Sequence, residues 1–342
     1  MTGDGAAFRE RLTHPVVVAP MAAGPSSPAL VAVAAEAGAL GFVAAGYKTA
    51  VEMEAQIDEV SGATSRPFGV NVFVPGTPTT QPDALRAYQR ALAAEAEPLG
   101  VILGEPSWDD DHWPSKIDVL VRRHPAVVSF AMGCPPTEVL RALGDAGTLT
   151  MVTVTSEHEA RLALDAGSAL LCLQGTEAGA HRSTFSVDGQ ANELGLATLI
   201  DRVRAIDDVA FVAAGGIGTR EAVTATLAKG AIAVQCGTVF LRCPESGASP
   251  AYKAALADPG FTTTSVTRAF SGRPARGLRN RFMVEHPDAP AAYPEINNMT
   301  RPLRAHAAAH RDAGRLSLWA GTGFRHATDR PAAEVLAELG SG

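Results

Sequence analysis

The sequence has few cysteines and no paired motif among them. Cys134, Cys172, Cys236 and Cys243 are scattered along the 342 residues, and no two of them form a CxxC pair. This spacing argues against a disulfide framework and against a cysteine-based zinc site. No HExxH sequence occurs either, so we expect no metal site. We predict a cytoplasmic protein whose cysteines are reduced.

The chain also lacks a long uninterrupted apolar run and an excess of positive charge. The most apolar charge-free stretch, residues 15–35, contains Pro20, Pro25 and Pro28, which do not suit one membrane-spanning helix. The first twelve residues mix acidic and basic side chains without an apolar core, which predicts no secretory signal. With 29 basic and 36 acidic residues, the net charge is −7. We therefore expect neither a membrane nor a nucleic acid as a partner.

One pattern recurs along the chain: a helix-like stretch ends in glycine, and a short apolar run that ends in another glycine follows. It occurs as EAGALGFVAAG at 36–46, DAGSALLCLQG at 165–175 and AKGAIAVQCG at 228–237. The first glycine suits a helix C-terminus, where φ is positive, and the apolar run suits a parallel strand buried on both faces. Hydrophobic residues make up 46% of the chain, which is enough for a large core. The pattern indicates repeated βα units.

Eight strands of this kind predict an α/β protein with the (β/α)8 TIM-barrel fold. The predicted strands are 16–20, 41–45, 68–74, 127–131, 149–154, 169–174, 209–214 and 231–236. No GxGxxG follows the first strand, which argues against a doubly wound dinucleotide-binding sheet. Two segments interrupt the repeat, 76–125 and 246–310, and both leave from carboxyl ends of strands. We predict a barrel from residues 1–75, 126–245 and 311–342, with the two segments as lids over its C-terminal face.

Candidate functional residues lie at the carboxyl ends of the predicted strands, where barrel enzymes have their active sites. Met21 and Ala22 follow the first strand, Asn71 lies in the third, and Gln174 ends the sixth. Buried amides such as Asn71 and Gln174 need hydrogen-bond partners. A ligand or the backbone can supply them, and both interpretations stay open at this point.

The glycine-rich loops after the seventh and eighth predicted strands indicate a phosphate-binding site. Gly215 and Gly216 precede a helix that starts near Thr219, so free backbone amides would face an anion. Gly237 and Thr238 add an amide and a hydroxyl after the eighth strand. The alternative is that these glycines only form tight turns.

His181 is the one imidazole on a glycine- and alanine-flanked loop at the predicted barrel mouth, and histidine is the usual general acid or base near neutral pH. The alternative is a surface histidine. Glu177 could orient His181, pair with Arg182 or face solvent, and we favour a structural role. Five arginines between residues 268 and 281 either reach a ligand phosphate, form a homodimer face or make up a solvated loop.

At these residues the sequence resembles the nitronate monooxygenase family, formerly the nitropropane dioxygenases, which are FMN-dependent barrel enzymes. The main stretches that carry the resemblance are PMAAGPSSPALVAVAAEAGALGFVAAG at 20–46, VVSFAMGCP at 127–135, LLCLQGTEAGAHR at 170–182 and FVAAGGIGTREAVTATLAKGAIAVQCGTVFL at 211–241. RAFSGRPARGLRN at 268–280 and LWAGTG at 318–323 are also similar, so the likeness spans nearly the whole chain. Ala180 and Ser183 replace two glycines of the family's usual AGGHRG, which implies a reshaped pocket beside His181.

The resemblance implies a site for FMN and a reaction. It implies that the cofactor is held by Met21, Ala22, Asn71, Gln174, Gly179 and Gly216, with its phosphate on Gly215, Gly216, Gln235, Cys236, Gly237 and Thr238. It further implies that a nitroalkane or its nitronate reacts with O2 to give a carbonyl compound and nitrite. His181 would act as a base toward the nitroalkane or, as an imidazolium, stabilise the nitro oxygens. One alternative is an NAD(P)H-dependent flavin reductase, acting on enoyl-acyl-carrier protein or quinone. The other is a non-catalytic protein, either one that binds a phosphorylated ligand or a flavin or a barrel that works as an assembly subunit.

Overall fold

Eight parallel strands form a barrel, and three short strands form a second, antiparallel sheet. The structure is a computed structural model that describes residues 3–189, 191–206 and 209–340. The strands are β1 (Val16–Val18), β2 (Phe42–Ala44), β3 (Gly69–Phe73), β4 (Val127–Ala131), β5 (Leu149–Val154), β6 (Leu170–Gln174), β7 (Ala180–His181), β8 (Phe211–Ala214), β9 (Ala233–Cys236), β10 (Thr264–Thr267) and β11 (Ala275–Leu278). The barrel order is β1-β9-β8-β6-β5-β4-β3-β2, and a parallel bridge between Val17 and Leu40 joins its two edges. The predicted α/β (β/α)8 TIM barrel is confirmed.

Helices follow most of the barrel strands and cover its outside. They are α1 (Gly3–Glu10), α2 (Pro28–Glu36), α3 (Ala50–Ala63), α4 (Pro82–Ala96), α5 (Trp113–Arg123), α6 (Thr137–Asp145), α7 (Glu157–Asp165), α8 (Leu196–Arg204), α9 (Arg220–Ala228), α10 (Pro250–Ala257), α11 (Arg281–Glu285), α12 (Glu295–Ala309) and α13 (Ala332–Gly340). In the described part of the chain, no helix has the length and apolarity that a membrane span needs. Residues 1–2 and 341–342, which belong to the predicted barrel ranges, lie outside the described residues.

Side chains alternate between the inside and the outside of the barrel along each strand. Inside, Val17, Phe42 and Cys172 belong to one apolar cluster, which Phe8 of α1 also joins. Outside, the alternate strand residues pack with residues of the surrounding helices in a larger cluster. The inner cluster comes mainly from the amino-terminal parts of the strands, so the barrel is filled at that end and the opposite end is left to polar side chains.

The two segments that interrupt the βα repeat pack against each other. Leu85 of α4, Ile296 of α12 and Phe270 belong to a hydrophobic cluster that is separate from the two clusters of the barrel. Tyr88 Oη donates a hydrogen bond to Ala269 O at 2.8 Å across the same contact. The two segments therefore share one core of their own, and β11 of the second segment pairs with β7 beside the barrel.

Candidate active site

Polar side chains line the inside of the barrel at the carboxyl ends of the strands. Asn71 on β3, Gln174 on β6 and Gln235 on β9 follow residues of the outer cluster, so they point inward. Ser129 on β4 also points inward and is paired with Asn71 in the sheet. Cys236 belongs to the outer cluster, and its thiol therefore points away from the interior. Three of the predicted cofactor-binding side chains thus lie in the barrel interior.

The three inward amides differ in their hydrogen bonds. Asn71 Nδ2 donates to Ser129 Oγ at 2.9 Å and to Ser129 O at 3.2 Å. Gln174 Nε2 donates to His181 O at 3.0 Å, so this amide ties the following loop to the strand. Gln235 Oε1 is enclosed and has no hydrogen-bond partner within the described part of the chain. A buried acceptor of this kind favours a ligand that donates a hydrogen bond.

His181 lies on β7, which pairs with β11 of the second inserted segment. Its Nε2 is 2.9 Å from Ser271 Oγ. The imidazole and the Tyr293 ring meet edge-on with their centroids 5.4 Å apart, and the Trp319 ring centroid is 5.7 Å away. Three side chains from distant parts of the sequence thereby contact the imidazole and set its orientation.

The surroundings of His181 keep its imidazole neutral. Burial and the positive charges of Arg273 and Arg304 lower the pKa of His181 to about 3. Arg273 is 1% exposed, and its guanidinium donates to backbone carbonyls, including Met132 O at 3.1 Å. Within the described part of the chain, neither arginine forms an ion pair with a carboxylate. Two positive charges that lack a direct ion pair, near a neutral imidazole, favour an anionic ligand.

Two partly buried tyrosines lie in the same region and share a hydrogen bond. Tyr293 Oη donates to Tyr47 Oη at 3.2 Å, and burial raises the pKa of both phenols, which are therefore neutral. Tyr47 follows β2 with a φ of 67°, a strained conformation for a bulky residue. Asp111 Oδ1 accepts from the Tyr47 amide at 2.9 Å, and Asp111 pairs with the buried Lys116 at 2.7 Å. This ion pair thereby supports the strained backbone of Tyr47.

The loop after β8 offers unpaired backbone amides at the start of a helix. Gly215 and Gly216 have positive φ values of 133° and 71°, and α9 begins just beyond them with Thr219 as its cap. Within the described residues, the amides of Gly216 and Gly218 donate no hydrogen bond. Free amides next to a helix N-terminus are suited to a phosphate or another anion.

A segment from the C-terminal part of the chain packs against the loops after β6 and β9. Thr238 Oγ1 accepts from Gly321 N at 3.0 Å, and Glu177 O accepts from Thr322 N at 3.0 Å. A Cβ on Gly179 would lie 2.5 Å from Gly321 N, so only glycine fits there. The close packing of the backbone therefore accounts for Gly179, and the Thr238 hydroxyl already has a partner within the protein.

The loop after β1 carries Met21 and Ala22 to the neighbourhood of the loop after β9. The Met21 amide donates to Ser26 Oγ at 2.9 Å. Met21 Sδ would lie 3.5 Å from a Cβ on Gly237, so the two loops are adjacent. Ala22 follows on the same loop and is partly exposed. The predicted residues that follow β1 and β9 are thus brought together.

The charged residues near His181 have structural partners of their own. The Glu177 carboxylate accepts a hydrogen bond from the backbone amide at the start of α8 at 3.0 Å, which is a structural role.

The five arginines between residues 268 and 281 do not form one surface. Arg273 is buried, Arg276 donates to Thr176 O at 2.7 Å, and Arg279 is exposed.

Five residues around His181 were not predicted from the sequence as candidates: Tyr47, Ser271, Tyr293, Arg304 and Trp319. Tyr47 lies in the loop after the second strand, which is the position where barrels carry functional side chains. Ser271 and Trp319 lie within stretches that carry the family resemblance. Tyr293 and Arg304 have no comparable signal, because they reach the site from α12 and the loop before it.

Known proteins resemble this chain over nearly its whole length. A sequence profile described as nitronate monooxygenase matches residues 7–342. The nitronate monooxygenase of Pseudomonas aeruginosa is 38% identical over 341 residues, covering 96% of this chain and 95% of that protein. A probable nitronate monooxygenase of Bacillus subtilis is 34% identical over 322 residues, covering 93% of this chain and 92% of that protein.

Solved structures show the same relationship. The structure of a nitroalkane oxidase from Streptomyces ansochromogenes has a TM-score of 0.94 and 46% identity, covering 97% of this chain and 96% of that one. FabK from Thermotoga maritima has a TM-score of 0.74 at 24% identity, covering 99% of this chain and 95% of that one, which shows the fold alone. The chain therefore belongs to the nitronate monooxygenase family of flavin-dependent oxidoreductases.

Proposed function

We propose that the protein is an FMN-dependent nitronate monooxygenase that oxidises alkyl nitronates and nitroalkanes with O2 to carbonyl compounds and nitrite. The observation that carries this proposal is the neutral His181 imidazole in the field of Arg273 and Arg304, two arginines without a carboxylate partner in the described part of the chain. A base in a positively charged site suits a substrate that becomes an anion when it loses a proton.

FMN is the cofactor that fits the residues at the carboxyl ends of the strands. The amides of Gly216 and Gly218 lack partners within the described residues and would take the single phosphate. Gln235 Oε1, which is enclosed without a partner, would accept a hydrogen bond from the polar edge of the ring system. The other predicted contacts are Met21, Ala22, Asn71, Gln174, Gly179, Gly215, Cys236, Gly237 and Thr238. Bound FMN would supply the redox chemistry with the organic substrate and with O2.

His181 would act as the base toward a neutral nitroalkane. Its pKa of about 3 means that the imidazole of the free protein is uncharged near neutral pH and has a lone pair available. Arg273 and Arg304 would stabilise the negative charge that develops on the nitro group as the proton leaves. The alternative role, in which an imidazolium stabilises the nitro oxygens, would need His181 to be protonated before the substrate is deprotonated, and burial and the two arginines disfavour that charge in the free protein.

We also propose that residues 76–125 and 246–310 act together as a cap over the mouth of the barrel. Their shared hydrophobic cluster and the contact of Tyr293 with His181 support this assignment. A cap of this kind would exclude water while the substrate anion is held. The reductase alternative has no observation of its own in this structure, because the likeness to FabK concerns the fold alone.

Substitution of His181 tests the proposed base. His181→Asn should keep FMN bound and should lower kcat/KM for a neutral nitroalkane by about 100-fold or more, since general base catalysis typically contributes that much. Turnover of a preformed nitronate should fall far less, because no proton then has to be removed. Oxygen uptake and nitrite release measure both reactions, and His158→Asn, which changes an exposed histidine on α7, is the matched control. Equal losses on the two substrates would rule out the base role.

A further inference from the structure

The Ser271 hydroxyl lies between the His181 ring and the backbone of Arg273. Ser271 Oγ is 2.9 Å from His181 Nε2, 3.2 Å from Arg273 O and 3.4 Å from Arg273 N. The serine is 2% exposed. Within the described part of the chain, these three atoms are the hydrogen-bond partners of its hydroxyl.

The donors and acceptors around this hydroxyl can be assigned from their chemistry. A hydroxyl has one hydrogen to donate and two lone pairs that accept. The Arg273 N–H can only donate, so it occupies one lone pair, while Arg273 O can only accept. That carbonyl has no other donor among the described residues, so it takes the hydroxyl hydrogen. The second lone pair remains for His181 Nε2, and this nitrogen must therefore carry a proton.

We propose that Ser271 is a positioning residue that holds His181 as the Nε2–H tautomer, so that Nδ1 is the atom that accepts the substrate proton. The proposal rests on the base role of His181 given above. His181 is only partly buried, and its Nδ1 makes no hydrogen bond within the described part of the chain. When a nitroalkane C–H bond breaks, its proton joins Nδ1 and its electron pair stays on the substrate as the nitronate. The resulting imidazolium keeps its Nε2–H bond to Ser271.

The backbone holds Ser271 rigidly enough for this role. The amides of Ser271 and Gly272 both donate to Arg268 O, at 3.2 and 2.7 Å. Gly272 has a φ of 80°, and a Cβ there would lie 2.1 Å from Ala292 O, so the turn packs directly against the backbone of the inserted segment. The hydroxyl is therefore fixed relative to the imidazole, which is what selection of one tautomer requires.

Nitrogen-15 NMR of the flavin-loaded protein reads the tautomer directly. Histidine would be labelled with nitrogen-15, and the His181 signals would be identified as those that His181→Asn removes. We expect a protonated Nε2 and an unprotonated Nδ1 in the wild type and in Ser271→Thr, which keeps the hydroxyl. Ser271→Ala should raise the population of the Nδ1–H tautomer. A wild-type protein with its proton on Nδ1 would overturn the proposal.

Kinetic measurements distinguish this positioning of His181 from a role of Ser271 in the stability of the fold alone. Ser271→Ala should lower kcat/KM for a neutral nitroalkane by about 10- to 100-fold, a part of what general base catalysis contributes, with nitronate oxidation nearly unchanged. Ser168→Ala is the control, since this buried serine donates to Leu170 O at 2.7 Å at the opposite end of the barrel. Equal losses on both substrates, or no rescue by Ser271→Thr, would contradict the role. If the wild type oxidised neither substrate, the proposed function would fail, whereas the NMR result on the tautomer would still stand.

Discussion

At the scale of single residues, the charge of His181 decides what the site can do. Burial and the charges of Arg273 and Arg304 lower the pKa of His181 from its ordinary value of 6.5 to about 3. The imidazole therefore stays neutral, and able to act as a base, at mildly acidic pH. We therefore expect kcat/KM for a neutral nitroalkane to stay level from about pH 8 to about pH 5, because the acid limb of this profile reports the essential base of the free enzyme. A fall centred near the ordinary histidine pKa would show that the imidazole is more exposed to water than the structure indicates.

Arg304 offers a test of the same charge without disturbing His181 itself. Arg304→Met removes a positive charge that disfavours the imidazolium, so the pKa of His181 should rise and the acid limb should move upward. Arg304→Lys keeps the charge and is the matched control. The measurement is the pH profile of kcat/KM for both variants. Superimposable profiles of Arg304→Met and Arg304→Lys would mean that this arginine does not act on His181 through its charge.

At the scale of elements, the buried ion pair of Lys116 and Asp111 links α5 to the end of β2. Lys116 is 1% exposed, pairs with Asp111 at 2.7 Å and donates to Ala45 O at 2.9 Å. Lys116→Met leaves the Asp111 carboxylate without its partner and should lower the free energy of unfolding by about 3–5 kcal/mol. Adding Asp111→Asn should restore part of that loss, since the unpaired charge is then removed. Urea unfolding of the single and double variants measures both effects, and a double variant no more stable than Lys116→Met would contradict this account.

The elements also show what could be predicted from the sequence. Every predicted barrel strand overlaps an observed one within two residues at either end, because each strand is a short apolar run and several of these runs are bounded by glycine. The short strands β7, β10 and β11 were not predicted. Thr264–Thr267 and Ala275–Leu278 include polar residues and pair with each other and with the loop at His181, so only tertiary contacts define them.

At the scale of the whole molecule, the barrel and the inserted segments supply different parts of the site. The barrel strands and their glycine-rich loops could be located from sequence because they repeat along the chain. The contacts of His181 could not, since Ser271, Tyr293 and Trp319 lie 90 or more residues away along the chain and belong to no repeat. The predicted cofactor residues Asn71, Gln174 and Gln235 lie together in the barrel interior because alternate residues of parallel strands face the same side.

The proposed oxidase activity is tested by adding a small alkyl nitronate, without NADH, to the purified protein in air while oxygen and nitrite are followed. We expect a yellow protein that consumes oxygen and releases nitrite, because the proposed site would combine a barrel mouth suited to FMN with the positive charges of Arg273 and Arg304 for an anionic substrate. A yellow protein that leaves the nitronate unchanged, but whose colour NADH bleaches in the absence of oxygen, would rule out the proposed activity and favour a flavin reductase.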